Sequence, residues 1–373
     1  MQIAFVYDSV HPWETGGVQT RIWELARRLV DSHDIHWYGL HYWDGPPVIE
    51  REGVILHGVA PEQDLYVNGR RSISEALRFS AALAKPLLNA DPDIIDCQAF
   101  PYFPSFPSKL QSLIRGSTLL ITWHEVWNNY WYEYLGRKGI FGKAIERILT
   151  QLPDEHAVVS ERTRRDLAAI GVQGSQFVPN GVDTASIEAV AATDEPVDVF
   201  FAGRLIPEKN PDLVVRAIDA LRETWPDVQG VLAGAGPERE RVQGLVESRG
   251  LADAVRLPGF LEMHENVLAH MAAADVLLLP SQREGFGITV LEALASGTPV
   301  VTIEHPQNAA KELVTDDETG YVVDPDPNAL ADAVLRVRET IDPAACVRAA
   351  RDYDWDRVAE RAEATYCDAM EST

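Results

Sequence analysis

Two carboxylates stand close together in the stretch "REGFGITVLEALASGTPVV", residues 283–301: Glu284 and Glu292, with seven residues between them. Paired carboxylates at a sugar bond are the equipment of a glycosidase, one acting as acid and the other as base or nucleophile. The spacing argues for a different use. At about 100° per residue, a helix running through both would leave them roughly 80° apart. Gly285 and Gly287 instead place Glu284 in a loop and Glu292 in the second turn of a helix that starts just after them. The two side chains then reach different parts of one ligand. Other residues with chemical potential fall nearby in pattern: Arg204 and Lys209 in "FAGRLIPEKN" (201–210), the glycines of "GAGPE" (234–238), Gly16 and Gly17 in "TGGVQT", and His124 after "TLLITW". Two cations, together with helix-opening N–H groups at Gly287 and Ile288, can hold an anionic ligand. A histidine following a strand is either a satisfied structural residue or a ligand-facing one.

These residues have to be carried by a scaffold, and the chain alternates short β-branched runs with amphipathic segments, the rhythm of βαβ units on a parallel sheet. Strands are expected at 2–8, 34–40, 53–59, 93–99, 118–124 and 156–160, and again at 197–203, 228–234, 255–260, 275–281 and 298–303. Helices are expected at 18–30, 210–224, 238–248, from about 288, and over 343–370. "QFVPNGVD" and the small, polar "TASIEAVAATDEP" mark a boundary. The fold class is α/β: two doubly wound, Rossmann-like domains facing across a cleft, 1–180 and 181–350, with a C-terminal helix in 351–373 crossing back towards the first. In such sheets ligands bind beyond the carboxyl ends of the strands, where the motifs cluster.

Several classes are disfavoured. The 373 residues carry a net charge of −24, which argues against nucleic acid as a partner. "GAGPER" has Arg239 where a dinucleotide fingerprint needs its third glycine, and the Walker pattern is absent. The Asp-x-Asp triplets at 91/93, 324/326, 352/354 and 354/356 read as turn residues in an acidic chain rather than metal ligands. Cys97, Cys346 and Cys367 suggest neither disulfides nor zinc and read as buried or inert thiols. No apolar run is long enough to span a membrane, and the start lacks a signal-peptide pattern, so a cytoplasmic location is expected. With 27 arginines against six lysines, the acidic surface suits adaptation to high salt.

Taken together, "TGGV" (15–18), "TWHEVW" (122–127), "VPNGVD" (178–183), "FAGRLIPEKN", "GAGPE", "LPGF" (257–260), "SQREGFGITVLEALASGTPVV" (281–301) and "TGYVV" (319–323) resemble the family four glycosyltransferases of the GT-B fold, over nearly the whole chain. The resemblance implies transfer of a hexose-type sugar from a UDP or GDP sugar with retention of configuration, by front-face substitution, with neither metal nor other cofactor. It implies a C-terminal domain that binds the donor and an N-terminal domain that mainly binds the acceptor. It places Arg204 and Lys209 on the diphosphate, Glu284 on the donor sugar, Glu292 on the ribose, Gly287 and Ile288 on the phosphates, Gly16 and Gly17 close to the same ligand, and His124 near the reacting carbon. Glu125 stands where many relatives have aspartate. Asn180 and Asp183 read as residues that shape the hinge turn.

The acceptor is expected to be a glycan or a lipid-linked glycan. Residues 69–88 read as an amphipathic helix with Arg70, Arg71, Arg78 and Lys85, and 126–147 interleaves Trp127, Tyr130, Trp131, Tyr132, Tyr134 and Phe141 with Arg137, Lys138 and Lys143. Such segments suit peripheral binding to an anionic membrane at the inner face of the cell membrane, or else a core-facing aromatic cluster. Rival functions are a sugar-nucleotide epimerase, a phosphorylase of similar fold, and a non-catalytic sugar-nucleotide binder.

Overall fold

The computed structural model describes residues 1–67 and 70–372, and the chain divides into two compact units, Met1–Asn180 with Trp355–Thr373, and Gly181–Asp354. Gly69, which opens the expected helix 69–88, and Thr373 lie outside the described residues.

In the first unit the elements run β1 (Gln2–Val6), α1 (Gly17–Leu29), β2 (Asp34–His41), β3 (Val48–Arg51), β4 (Val54–Pro61), β5 (Tyr66–Val67), β6 (Arg70–Arg71), α2 (Ile73–Asn89), β7 (Ile94–Gln98), α3 (Ser105–Arg115), β8 (Thr118–Trp123), α4 (Tyr130–Leu135), α5 (Gly139–Leu149), β9 (Glu155–Val158), α6 (Glu161–Ala169) and β10 (Gln176–Phe177). The main sheet has the order β10-β9-β8-β7-β1-β2-β4-β3, parallel except for β3 against β4. Its central strands β7 and β8 are buried along their whole length, which is why they do not alternate apolar with polar residues, although β7 also buries Asp96 and Gln98. The C-terminal helix belongs to this unit. Its Trp355, Val358, Ala359, Ala362 and Tyr366 enter the same core cluster as Ile22, Leu25, Ala26 and Leu29 of α1.

The second unit runs α7 (Thr184–Glu188), β11 (Val199–Ala202), α8 (Pro211–Leu221), β12 (Gly230–Ala233), α9 (Arg239–Ser248), β13 (Val255–Gly259), α10 (His264–Ala273), β14 (Val276–Leu279), α11 (Ile288–Ala295), β15 (Val300–Ile303), β16 (Gly320–Val323), α12 (Pro327–Thr340) and α13 (Pro343–Ala350). Its sheet is wholly parallel, in the order β13-β12-β11-β14-β15-β16. Strand order reverses direction between β11 and β14, the switch point beyond which open α/β sheets bind their ligands.

Three expectations need correction. Arg70 and Arg71 do not begin a helix. They form a two-residue strand against Tyr66–Val67. Helix α2 starts only after Ser72, whose hydroxyl accepts from the Glu75 backbone N–H at 3.2 Å, the usual role of a serine at a helix start. The helix expected over 343–370 is two helices, α13 and α14 (Trp355–Glu371), because a 3-10 turn at Arg351–Tyr353 and an extended Asp354 interrupt it. Cys97 and Cys346 are buried, whereas Cys367 is exposed.

Candidate active site

The loops after β11 and β12 are drawn together by glycine. Gly203 N–H donates to the Ala233 carbonyl at 3.0 Å, and Leu205 N–H to the Ala235 carbonyl at 2.8 Å. Gly234 and Gly236 have φ of 151° and 156°, and a Cβ on either would run into the carbonyl oxygen of Gly203 or Leu205. Only glycine permits so close a backbone approach. The result is a cavity of about 430 Å³ at the carboxyl ends of β11, β12 and β13, lined by Gly203, Arg204, Gly234, Phe260, His264, Thr289 and Glu292 among others. Arg204 is exposed there, and its side chain makes no hydrogen bond or ion pair among the described residues.

The start of α11 is fixed from below. Gly287 caps it with φ of 110°, and a Cβ at that position would lie 2.6 Å from the Ala310 Cβ. Ala310 is held in turn by the buried Asn308, which accepts from the Ala310 N–H at 3.2 Å and donates to Thr302 Oγ1 at 3.1 Å and to the Ile303 carbonyl at 2.9 Å. The same segment carries Glu284: its N–H donates to the Gln307 carbonyl at 2.9 Å, and its carbonyl accepts from Ala309 N–H at 3.1 Å. Glu284 therefore sits in a loop and Glu292 in the second turn of α11.

Lys209 ends a 3-10 turn, Pro207–Lys209. Gln282 N–H donates to the Glu208 carbonyl at 2.8 Å, and Asn210 Nδ2 to the Pro280 carbonyl at 3.0 Å, so this turn is sewn to the loop after β14. The sewing brings the Lys209 ammonium onto the Glu284 carboxylate in an ion pair whose side chains are only 17% and 13% exposed. The structure thus groups the predicted residues in two sets. Arg204 and Glu292 line the cavity, and Lys209 pairs with Glu284 in the adjoining loops, while Gly287 and Ile288 open the helix that carries Glu292.

Sequence reasoning missed His264, Phe260, Thr289 and Asn308. His264 Nε2 lies 3.1 Å from Glu292 Oε1, and this hydrogen bond raises its pKa above the usual imidazole value. Phe260 is 72% exposed although it lines the cavity, and large apolar rings are more often buried. The "LPGF" run that contains it was the only available signal.

In the first unit, His124 follows β8 at the carboxyl edge of the sheet and is set by a buried polar chain. Tyr366 OH donates to Asp96 Oδ2 at 2.7 Å, while Thr122 Oγ1 at 2.8 Å and Gln98 Nε2 at 3.0 Å donate to Asp96 Oδ1. These bonds orient the Gln98 amide so that its Oε1, 2.8 Å from His124 Nε2, accepts the imidazole proton. Burial, helped by the Arg21 charge, lowers the His124 pKa to about 3, so the ring is neutral and Nδ1 keeps its lone pair. Arg21 Nη1 donates to Asn180 Oδ1 at 3.3 Å and also bonds the Pro179 carbonyl. Gly17 is the first residue of α1 and Gly16 its cap, where a Cβ would meet Gln19 Oε1 at 2.7 Å. In the second unit Asp183 caps α7 through Ser186 N–H at 2.9 Å.

Several aspartates of the triplets make structural contacts. Asp93 accepts from Gln2 N–H, Asp326 caps α12, and Asp354 accepts from Thr184. No group of three or more His, Cys, Asp or Glu side chains is placed to hold a metal among the described residues, and none of their helices is long and apolar enough to cross a membrane.

Two parallel-sheet, Rossmann-like units with motifs at their carboxyl edges define the GT-B class. Residues 15–186 match the family described as Glycosyltransferase Family 4, and residues 183–352 match Glycosyl transferases group 1. The chain is similar to the alpha-D-kanosaminyltransferase of Streptomyces kanamyceticus, 34% identical over 40% of this chain and 38% of that protein. It is also similar to the GDP-mannose-dependent alpha-(1-6)-phosphatidylinositol dimannoside mannosyltransferase of Mycobacterium tuberculosis, 32% identical over 54% of each. Sucrose-phosphate synthase from Thermosynechococcus elongatus superposes with a TM-score of 0.75 at 21% identity, covering 100% of both chains. The matches span about half the length of the curated relatives, or less. The chain belongs to the family-four type of the GT-B-fold glycosyltransferase families, with a Family 4 match over its first half and a group 1 match over its second.

Proposed function

We propose that this glycosyltransferase moves a hexose-type sugar from a UDP or GDP sugar to a glycan or lipid-linked acceptor, with retention of configuration and without a metal or other cofactor. The observation that carries the reading is the second-unit cavity. It is lined by Arg204, whose side chain is unpaired among the described residues, and by Glu292 braced by His264, at the carboxyl ends of parallel strands, and the Lys209–Glu284 pair lies in the adjoining loops. In this reading Arg204 and Lys209 take the charge that develops on the departing diphosphate, aided by the N–H groups that open α11. Glu292 accepts from the ribose hydroxyls and Glu284 from those of the donor sugar. His124, neutral and with Nδ1 available, bonds a sugar hydroxyl, and Gly16 and Gly17 give a ligand close access to backbone. The departing phosphate itself takes the acceptor proton, so no enzymic nucleophile is invoked. Exposed aromatic and basic groups of the first unit fit a membrane-bound acceptor met from the cytoplasmic side.

The test is incubation with a panel of UDP and GDP hexoses and a glycan acceptor, following release of nucleoside diphosphate and the anomeric proton of the product by NMR. Release that is abolished in Arg204→Ala, with the donor's anomeric configuration kept, is the expected result. Inversion of configuration, a sugar trapped covalently on a side chain, or conversion of the sugar nucleotide into its epimer would refute the reading.

A further inference from the structure

The first unit contains a second cavity, of about 580 Å³, within the usual range for small-molecule sites. It is built where the two basic and aromatic segments meet: the start of α2 on one side, α4 and α5 on the other, with residues 100–103 between. Its floor is a packed set of rings, with Trp131 centroids 4.7 Å from Trp127, 5.7 Å from Tyr102 and 6.1 Å from Tyr134. Helix α5 comes this close to Trp131 because Gly142 has no side chain; a Cβ there would run into the indole.

Most polar groups of the wall are engaged, although the buried Trp131 Nε1 and Arg71 Nε have no hydrogen-bond partner among the described residues. Ser72 caps α2, Tyr102 OH donates to Glu146 at 2.6 Å, and Tyr134 OH accepts from the Arg71 N–H at 2.8 Å. A sugar entering here would find few partners for its several hydroxyls, which is costly. A hydrocarbon chain would lose nothing. The mouth points the same way: Ile73 and Phe141 line the cavity yet are 56% and 69% exposed. Apolar groups held together in water mark an interaction site. Beside them stands Arg70, its guanidinium 5.5 Å from the Tyr134 ring centroid. Arg71 is neutralised by Asp8, but Arg70 has no carboxylate partner among the described residues. In a chain with 57 acidic residues, an unneutralised cation at an apolar mouth is complementary to an anion.

We propose that this cavity takes the hydrocarbon chain of a lipid-linked acceptor, with the acceptor's phosphate head held at Arg70. The inference rests on the glycosyl-transfer reading above for the nature of that acceptor. It assigns the apolar chain itself to a pocket in the protein and not to the bilayer.

Tryptophan fluorescence of the full chain, titrated with farnesyl phosphate, with farnesol and with phosphatidylglycerol vesicles, tests it, with UDP and GDP binding measured on the same samples. Saturable binding of farnesyl phosphate at one site per chain is expected. The exposed-rim double variant Ile73→Asp/Phe141→Asp should weaken it at least tenfold, and Leu113→Asp on the exposed face of α3 should leave it unchanged. Arg70→Ala should reduce affinity for farnesyl phosphate to that for farnesol. Absence of saturable binding, a response to vesicles alone, or equal affinity in the rim variant would overturn the proposal. If nucleoside diphosphate still binds in that case, the pocket assignment alone falls; if the wild type binds no nucleoside diphosphate, the donor reading falls.

Discussion

Removing the Lys209 ammonium should have two separable effects. The ion pair with Glu284 is about one-sixth exposed on either side. Truncating one partner of a fully buried pair costs about 3–5 kcal/mol, and of a surface pair about 0–1 kcal/mol. For Lys209→Met we expect about 2 kcal/mol, most of it the cost of leaving the Glu284 carboxylate unpaired. In a unit of this size that lowers the melting temperature by roughly 4–8 °C. The double variant Lys209→Met/Glu284→Gln removes the stranded charge and should recover most of the loss. Donor binding should not recover. A charge-assisted hydrogen bond is worth about 1.5–3 kcal/mol, so both variants should bind the nucleotide sugar roughly tenfold to a hundredfold more weakly. Thermal unfolding and calorimetric titration on the same samples give both readouts. If the double variant regains donor affinity along with stability, Lys209 is a structural residue and its assignment to the diphosphate is wrong.

Three further outcomes follow from named contacts. Gly287→Ala should destabilise the second unit by about 1–3 kcal/mol, because its backbone is left-handed and Ala310 fills the space. Gly244→Ala, in open space within α9, should instead stabilise by about 0.5–1 kcal/mol; urea unfolding of the two checks the contrast. Glu292→Gln removes the partner that raises the His264 pKa, so an NMR titration should show that imidazole moving down towards its ordinary value of 6.5; no movement would mean the hydrogen bond is absent in solution. His124 has a folded-state pKa of about 3 against 6.5 unfolded, so its contribution is complete above pH 6.5 and is lost as pH falls towards 3. At pH 5 the loss is about 2 kcal/mol, and His124→Asn should flatten that part of the stability–pH curve.

Much of the scaffold is legible in the chain because buried parallel strands are mostly apolar runs, and the loops after them carry the glycines and charges. The separation of Glu284 from Glu292 follows from Gly285 and Gly287 alone. What sequence does not reveal are contacts set by tertiary packing. Lys209 meets Glu284 across 75 residues. The chain that orients His124 begins at Tyr366, 270 residues from Asp96. Asn308 and His264 stand in unremarkable contexts and gain their roles only when β15 and α10 pack beside α11. Arg70 and Arg71 mislead for a local reason: their charge pattern suits a helix face, but the Ser72 cap starts α2 only at Ile73. The break between α13 and α14 is a 3-10 turn with no proline or glycine to announce it.

The central claim is that the second-unit cavity holds the nucleoside diphosphate of a sugar donor. Calorimetric titration of the wild-type chain and of Glu292→Ala with UDP and with GDP tests it most directly. The account predicts that one of the two nucleotides binds at a single site, and that Glu292→Ala loses this binding while His124→Ala keeps it. Binding of neither nucleotide, or equal binding by Glu292→Ala and wild type, would contradict it.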